Sequence, residues 1–193
     1  MTATAATPKL AHLVLQTNQL QAMRDWYRTV LKAHVVFENP MMVFLTFDEE
    51  HHRIALMGPI AGPLTERTPM TVGLQHSAYT FPELGSLMYR YEELKAAGVE
   101  PRLPLQHGFT TSLYYRDPDG NHVELQVDNF STAKEATAYL EGPEYEADPI
   151  GVVFDPTAMA EAVRAGVSEK ELLGRAWAED HRLDLNPVHM LLG

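Results

Sequence analysis

The sequence repeats itself, and an internal repeat restricts the fold more than composition does. Each half reads as a strand, a helix and then three strands. In the first half, Leu10 to Thr17 runs Leu-Ala-His-Leu-Val-Leu-Gln-Thr, which has the pattern of a strand. A helix follows with Asn18 as N-cap and with Leu20, Met23, Trp26, Tyr27, Val30 and Leu31 at helical spacing. Strands are expected over residues 34–38, 41–47 and 53–57. The second half begins with a strand over 71–81. Pro82 then opens a helix carrying Leu84, Leu87, Met88, Tyr91 and Leu94, closed by Gly98. Strands follow over 101–105, 111–116 and 122–128, the last two joined by the turn sequence Asp117-Pro118-Asp119-Gly120-Asn121. Aligning Asp48 with Asp117 without a gap sets Ile54 on Val123, Ala55 on Glu124 and Leu56 on Leu125, and His12 matches His76. One βαβββ unit is used twice.

Three polar residues stand out against this apolar framework. Alternation puts Leu10, His12, Val14 and Gln16 on one face, so His12 is expected in mid-strand on a largely apolar face. By itself it reads as a buried histidine bonded to a neighbour. His76 takes the matching place, with Val72, Leu74 and Ala78 on its face. Glu124 interrupts the apolar run Val123-Glu124-Leu125, with His122 and Gln126 alternating beside it. A carboxylate in such a strand is costly to bury unless it is paired or bound to a metal. A structural salt bridge would also satisfy it. Two imidazoles and one carboxylate form a 2-His-1-carboxylate set, which leaves open positions on an ion. The set suits Fe(II) first, then Mn(II) or another divalent metal.

Composition excludes several other chemistries. No cysteine occurs in the 193 residues, so disulfides, iron–sulfur clusters and thiol nucleophiles are ruled out. A formal charge of −11 repels phosphate backbones, so no nucleic-acid partner is expected. No run approaches the roughly 20 apolar residues that span a bilayer, so no membrane partner is expected. Residues 1–8 have neither a basic region nor an apolar run and read as a disordered tail rather than a signal peptide. A cytoplasmic protein is expected. Beyond residue 128 the repeat ends. Ser131 to Leu140 reads as a helix, Asp155-Pro156 caps another that ends near Gly166, and Ser168 to Glu171 has capping-box spacing before a third. This segment reads as a helical cover or a subunit contact, and nothing in it demands chemistry.

The paired βαβββ units, the first-strand histidines and the stretch Asp117-Pro118-Asp119-Gly120-Asn121-His122-Val123-Glu124-Leu125 resemble the vicinal oxygen chelate superfamily. That superfamily includes glyoxalase I, fosfomycin resistance proteins, bleomycin-binding proteins and type I extradiol dioxygenases. The resemblance covers about residues 9–128. It implies an α+β fold of two tandem modules, about 9–57 and 71–128, forming a half-open barrel around a metal site. Residues 129–193 would form a helical C-terminal extension, and the assembly would be a homodimer or higher homo-oligomer.

Within the superfamily, glyoxalase I uses four protein ligands, and the fourth position here is Ala55, which favours a three-ligand site. Fosfomycin resistance proteins surround a phosphonate with cationic residues, and the first half has no such basic cluster. Bleomycin-binding proteins lack the ligands altogether. Single-domain type I extradiol dioxygenases fit better, because the intervals of 64 residues from His12 to His76 and 48 from His76 to Glu124 resemble their ligand spacing. Tyr114 matches a tyrosine that orients the catecholic substrate, although a cross-strand aromatic is the plainer reading of it. His107 matches a histidine upstream of that tyrosine after a shift of about two residues. One departure stands: the acid–base histidine that many of these enzymes carry about 15 residues before the second metal histidine is absent from Gly58-Pro59-Ile60-Ala61-Gly62-Pro63. His51 and His52 lie farther back, in a turn that should be exposed.

The resemblance thus implies an Fe(II)-dependent extradiol-type dioxygenase that opens a catechol-like aromatic diol with O2. His12, His76 and Glu124 would hold the metal, Tyr114 would orient the substrate and His107 would move a proton. No organic cofactor is needed. Phe44, Phe109 and Tyr115 are candidate wall residues that could equally be core. His34, His122, His181 and His189 read as structural or solvated. Two alternatives use the same fold: a non-oxidative metal-dependent isomerase, epimerase or transferase, and a metal-free protein that binds a small molecule.

Overall fold

Alternation and helical spacing resolve into nine strands and seven helices in the computed structural model, which describes residues 6–68 and 70–188. Residues 1–5 of the expected tail and His189 lie outside the described residues. The chain divides into two compact units, residues 1–66 with 117–119, and residues 67–116 with 120–193. Among the described residues no helix is long and apolar enough to cross a membrane.

The first unit contains β1 (Leu13–Gln16), α1 (Leu20–Leu31), β2 (His34–Glu38), β3 (Met42–Thr46) and β4 (Ile54–Met57), with the sheet ordered β1-β4-β3-β2. β1 runs parallel to β4, and the other pairs are antiparallel. The apolar stripe of α1 buries Met23, Tyr27 and Val30. It packs on β3 and β4, where Val43, Leu45, Ile54 and Leu56 are also buried. Asn18 is not the helix cap. Its side chain bonds Leu64 at both backbone groups, and Thr17 Oγ1 accepts the Gln19 N–H at 2.8 Å instead. The Asp117–Asp119 turn joins this unit through Tyr27, whose hydroxyl donates to Asp117 Oδ2 at 3.1 Å.

The second unit repeats the plan with β5 (His76–Thr80), α2 (Leu84–Ala96), β6 (Leu103–Gln106), β7 (Thr110–Arg116) and β8 (His122–Asp128). α2 buries Leu84, Leu87, Met88, Tyr91 and Leu94 and ends in a Schellman motif, with Gly98 N–H bonded to Lys95 and Val99 N–H to Leu94. One sheet face, with Leu113, Tyr115, Val123, Leu125 and Val127, belongs to the core. Each fully buried leucine there contributes roughly 1.5–3 kcal/mol. The other face carries His76, Ala78, Ser112, Tyr114, Arg116, His122 and Glu124.

The segment after residue 128 is not helical throughout. It forms α3 (Ala133–Leu140), α4 (Pro143–Ala147), α5 (Pro156–Arg164), α6 (Glu169–Leu172) and α7 (Arg175–Asp180). Between α4 and α5, β9 (Val152–Val153) adds to the sheet beside β6, giving the order β5-β8-β7-β6-β9. The caps read from sequence are present: Asp155 accepts from Thr157 and Ala158, and Ser168 from Glu171. A two-residue strand leaves no periodic signal, which is why β9 was not legible beforehand.

Register refines the repeat. Ala55 faces Val14 on β1 and Phe44 on β3, while Glu124 faces Ala78 on β5 and Tyr114 on β7. Ala55 and Glu124 are therefore equivalent, as are His12 and His76, each two residues before the strand partner. Phe44 is equivalent to Tyr114, not to Leu113 as the ungapped alignment has it, because one more residue separates the pair Phe44 and Ala55 than the pair Tyr114 and Glu124. His51 and His52 lie in that longer connection.

Candidate active site

Glu124 is only 4% exposed, and its burial is satisfied. His76 Nε2 stands 3.0 Å from Glu124 Oε2. Ser112 and Tyr114, from the neighbouring strand, also hydrogen-bond the carboxylate. Burial pushes the Glu124 carboxyl pKa upward, but the hydrogen bonds from His76, Ser112 and Tyr114 outweigh it and hold it below the ordinary range. The strand register explains the cluster, since Tyr114 lies directly opposite Glu124 and its ring meets His76 edge-on at 5.6 Å.

The second nitrogen of His76 is engaged as well. Nδ1 hydrogen-bonds Gln75 Oε1, and because that oxygen only accepts, Nδ1 carries the proton. A hydrogen bond from Nε2 to the Glu124 carboxylate then requires a second ring proton, and a divalent cation between the two would take that proton's place. This is the donor arrangement of a histidine ligand whose far nitrogen is fixed by a neighbour, and the two residues fit a divalent ion. Gln75 also reaches His122 Nδ1 at 3.4 Å, and Arg116 Nη2 lies 3.2 Å from His122 Nε2. Burial, with Arg116 and Arg67 nearby, lowers the His122 pKa.

Tyr114 and His107 form the next layer. His107 Nε2 lies 2.9 Å from the Tyr114 hydroxyl. Burial raises the Tyr114 pKa far above a free phenol, and the Glu124 carboxylate adds to the effect, so the group remains an O–H. Burial likewise lowers the His107 pKa and keeps its ring neutral. A loop histidine beside glycine would ordinarily be solvated, but the turn between β6 and β7 folds back on itself. His107 N–H donates to Thr110 O at 2.9 Å, Gln106 Oε1 accepts the Gly108 N–H at 2.7 Å, and Gly108 adopts a φ of 91°. Leu103, Leu105 and Val153 form an apolar cluster with Tyr114, and Leu183 packs against it.

His12 stands in the first unit and departs from the sequence expectation. It precedes β1 rather than lying within it, and it is exposed rather than buried. Its ring lies 4.2 Å from that of His52, which in turn stacks on Phe44 at 4.7 Å. His52 is thus partly buried, not a solvated turn residue. Burial lowers its pKa, and the neighbouring His12 and His51 lower it further. His51 remains exposed. Sequence reasoning passed over His52, and the signal that could have found it is its place in the connection leading to β4, the strand equivalent to that of Glu124. Among the described residues no three His, Asp or Glu side chains converge as they stand to bind one ion.

Of the wall candidates, Phe44 contacts His52, and Phe109 lies 5.8 Å from the His107 ring. Tyr115 is fully buried on the opposite face of β7 and belongs to the core, as strand alternation requires. His181 stacks on Trp177 at 3.9 Å and bonds its backbone, so it is structural.

Comparison with known proteins gives the family and the fold. Two relatives from Rhodococcus globerulus are biphenyl-2,3-diol 1,2-dioxygenases. One is 65% identical over 89% of this chain and 90% of its own length, the other 58% identical over 95% and 96%. The crystal structure of a glyoxylase/bleomycin resistance protein/dioxygenase domain from Frankia sp. EAN1pec has the same fold, with a TM-score of 0.54 and 20% identity over 66% of this chain and 96% of its own. The model of the glyoxalase/bleomycin resistance protein/dioxygenase superfamily matches residues 9–125. The chain belongs to that superfamily.

Proposed function

We propose that this protein is an extradiol dioxygenase that opens the ring of a catechol-like aromatic diol with O2, using Fe(II) held by His12, His76 and Glu124. The observation that carries the reading is the Tyr114 hydroxyl, kept protonated by burial and set between Glu124 and His107. The names of the two Rhodococcus relatives support a biphenyl-2,3-diol as the first substrate to test.

When bound, the metal supplies Lewis acidity to the diol oxygens and an electron path from the diol to O2. The chain's own residues handle orientation and protons. Tyr114 offers a hydrogen bond to a substrate hydroxyl beside Glu124. His107, neutral and with Nε2 against that phenol, accepts a proton through it. Leu103, Leu105 and Val153 give the Tyr114 side of the site an apolar border that favours an aromatic ligand.

The test is anaerobic loading with Fe(II), addition of biphenyl-2,3-diol or catechol, and admission of O2. Oxygen uptake equal to the diol consumed, with a yellow ring-opened product, is expected. A protein with its metal fully bound that takes up no oxygen with either diol is not a dioxygenase of this class. The non-oxidative alternative would then be the reading to pursue.

A further inference from the structure

Glu124 is buried, but its partner His76 is not. The imidazole is 36% exposed, so packing alone does not fix how the ring is turned. A side chain that is free to turn loses rotamer freedom when an ion orders it, and that loss weakens binding unless a neighbour has already set the ring. Gln75 is such a neighbour. It immediately precedes β5, so strand alternation does not send its side chain to the opposite face, and Oε1 accepts a hydrogen bond from His76 Nδ1. The same amide stands 3.4 Å from Nδ1 of His122, the strand partner of His76.

Arg67 holds the backbone that delivers Gln75. Its Nη2 donates to the Leu74 carbonyl, and its Nη1 donates to Asn121 Oδ1 at 2.8 Å. Residue 74 is thereby tied to the residue just before β8, the strand that carries Glu124. The Leu74 side chain is itself 47% exposed, so the guanidinium does here what core packing does elsewhere in the sheet. One cation thus joins the approach to the His76 strand to the approach to the Glu124 strand.

We propose that Gln75, carried by the Arg67 clamp, is a positioning residue of the metal centre, which orients the His76 ring before an ion arrives and directs Nε2 at it. Gln75 and Arg67 touch no reacting atom and act through His76. A neighbour bonded to the far nitrogen of a ligating imidazole is worth roughly 10–100-fold in metal affinity. The proposal rests on the ligand role given above to His76.

Zn(II) affinity of the full-length, metal-free protein, measured by competition with a chromophoric chelator, tests this without turnover. Gln75→Met keeps the side-chain length and removes the acceptor. It should bind Zn(II) about 10–100-fold more weakly, with the Tm of the metal-free protein unchanged. Gln75→Glu, which retains an acceptor oxygen, should bind at least as tightly as wild type. Arg67→Met should weaken binding by a smaller factor, because Gln75 is still present but less firmly placed. His122→Ala leaves the bond between Gln75 and His76 intact and should not change the affinity. Wild-type affinity in Gln75→Met overturns the proposal, as does an affinity in Gln75→Glu as low as in Gln75→Met. Wild-type affinity in Arg67→Met overturns the part given to the clamp. If His76→Ala also binds like wild type, the ligand set is wrong. If His76→Ala loses the ion while Gln75→Met keeps it, this proposal alone fails.

Discussion

His107 and Tyr114, seven residues apart on either side of the β6–β7 turn, share a hydrogen bond of 2.9 Å beside the buried carboxylate of Glu124. The phenol stands directly opposite Glu124 in the β7–β8 register, and the β6–β7 turn brings His107 to its hydroxyl. Such an arrangement can be tested group by group.

Tyr114→Phe retains the ring that packs with Leu103, Leu105 and Val153 and removes only the hydroxyl. Fold and metal content should be unchanged. kcat/KM for ring cleavage should fall on the order of 10²-fold, the range for losing one positioned proton-transfer group. Steady-state oxygen uptake alongside metal analysis provides the check.

Glu124→Ala removes a carboxylate and leaves His76 Nε2 without its partner at 3.0 Å. Stoichiometric metal should be lost, and ring cleavage with it. His122→Ala, on the same strand face, should keep its metal. Elemental analysis after desalting distinguishes these outcomes, and equal metal retention in both variants would remove Glu124 from the ligand set.

Leu87→Ala empties a fully buried site on α2, on the face of the sheet away from Glu124. A loss of about 2–5 kcal/mol in unfolding free energy is expected. Urea unfolding measures it, and metal binding in the folded protein should not change.

A chain ending at Asp128 would lose β9 and leave β6 as a bare sheet edge. Aggregation on size-exclusion chromatography is expected, not a shorter active enzyme. A monodisperse, active truncation would show the extension to be dispensable.

Asp148 offers a pH test. Burial pushes its carboxyl upward, but Gly151 N–H and Arg175 together hold it below the ordinary 3.8. A depressed folded-state pKa stabilises the fold above the unfolded value, and the contribution disappears as pH falls through the folded value. Asp148→Asn should therefore lower Tm at neutral pH, and the gap from wild type should close below about pH 4. Thermal melts across pH reveal the closing gap.

The sequence alone carried the repeat, the order of elements and the identity of the residue that most needs explaining. Helical spacing in Met23, Tyr27 and Val30 and alternation around Glu124 are local patterns, and both register with the observed burial. A carboxylate between Val123 and Leu125 announces its cost without any knowledge of the fold. Belonging to the superfamily was legible for the same reason, since its turn and last strand are one contiguous stretch.

Tertiary structure decided what depends on distant segments meeting. His12 was expected in mid-strand, but β1 starts at Leu13, because strand limits follow from pairing with β4 rather than from alternation. His52 became a site candidate only when the longer β3–β4 connection laid it against His12. The extension, read from sequence as helices without chemistry, supplies a strand to the sheet. A two-residue strand leaves no trace in side-chain pattern, because every residue carries an N–H and a carbonyl and only the folded chain determines which sheet edge they meet.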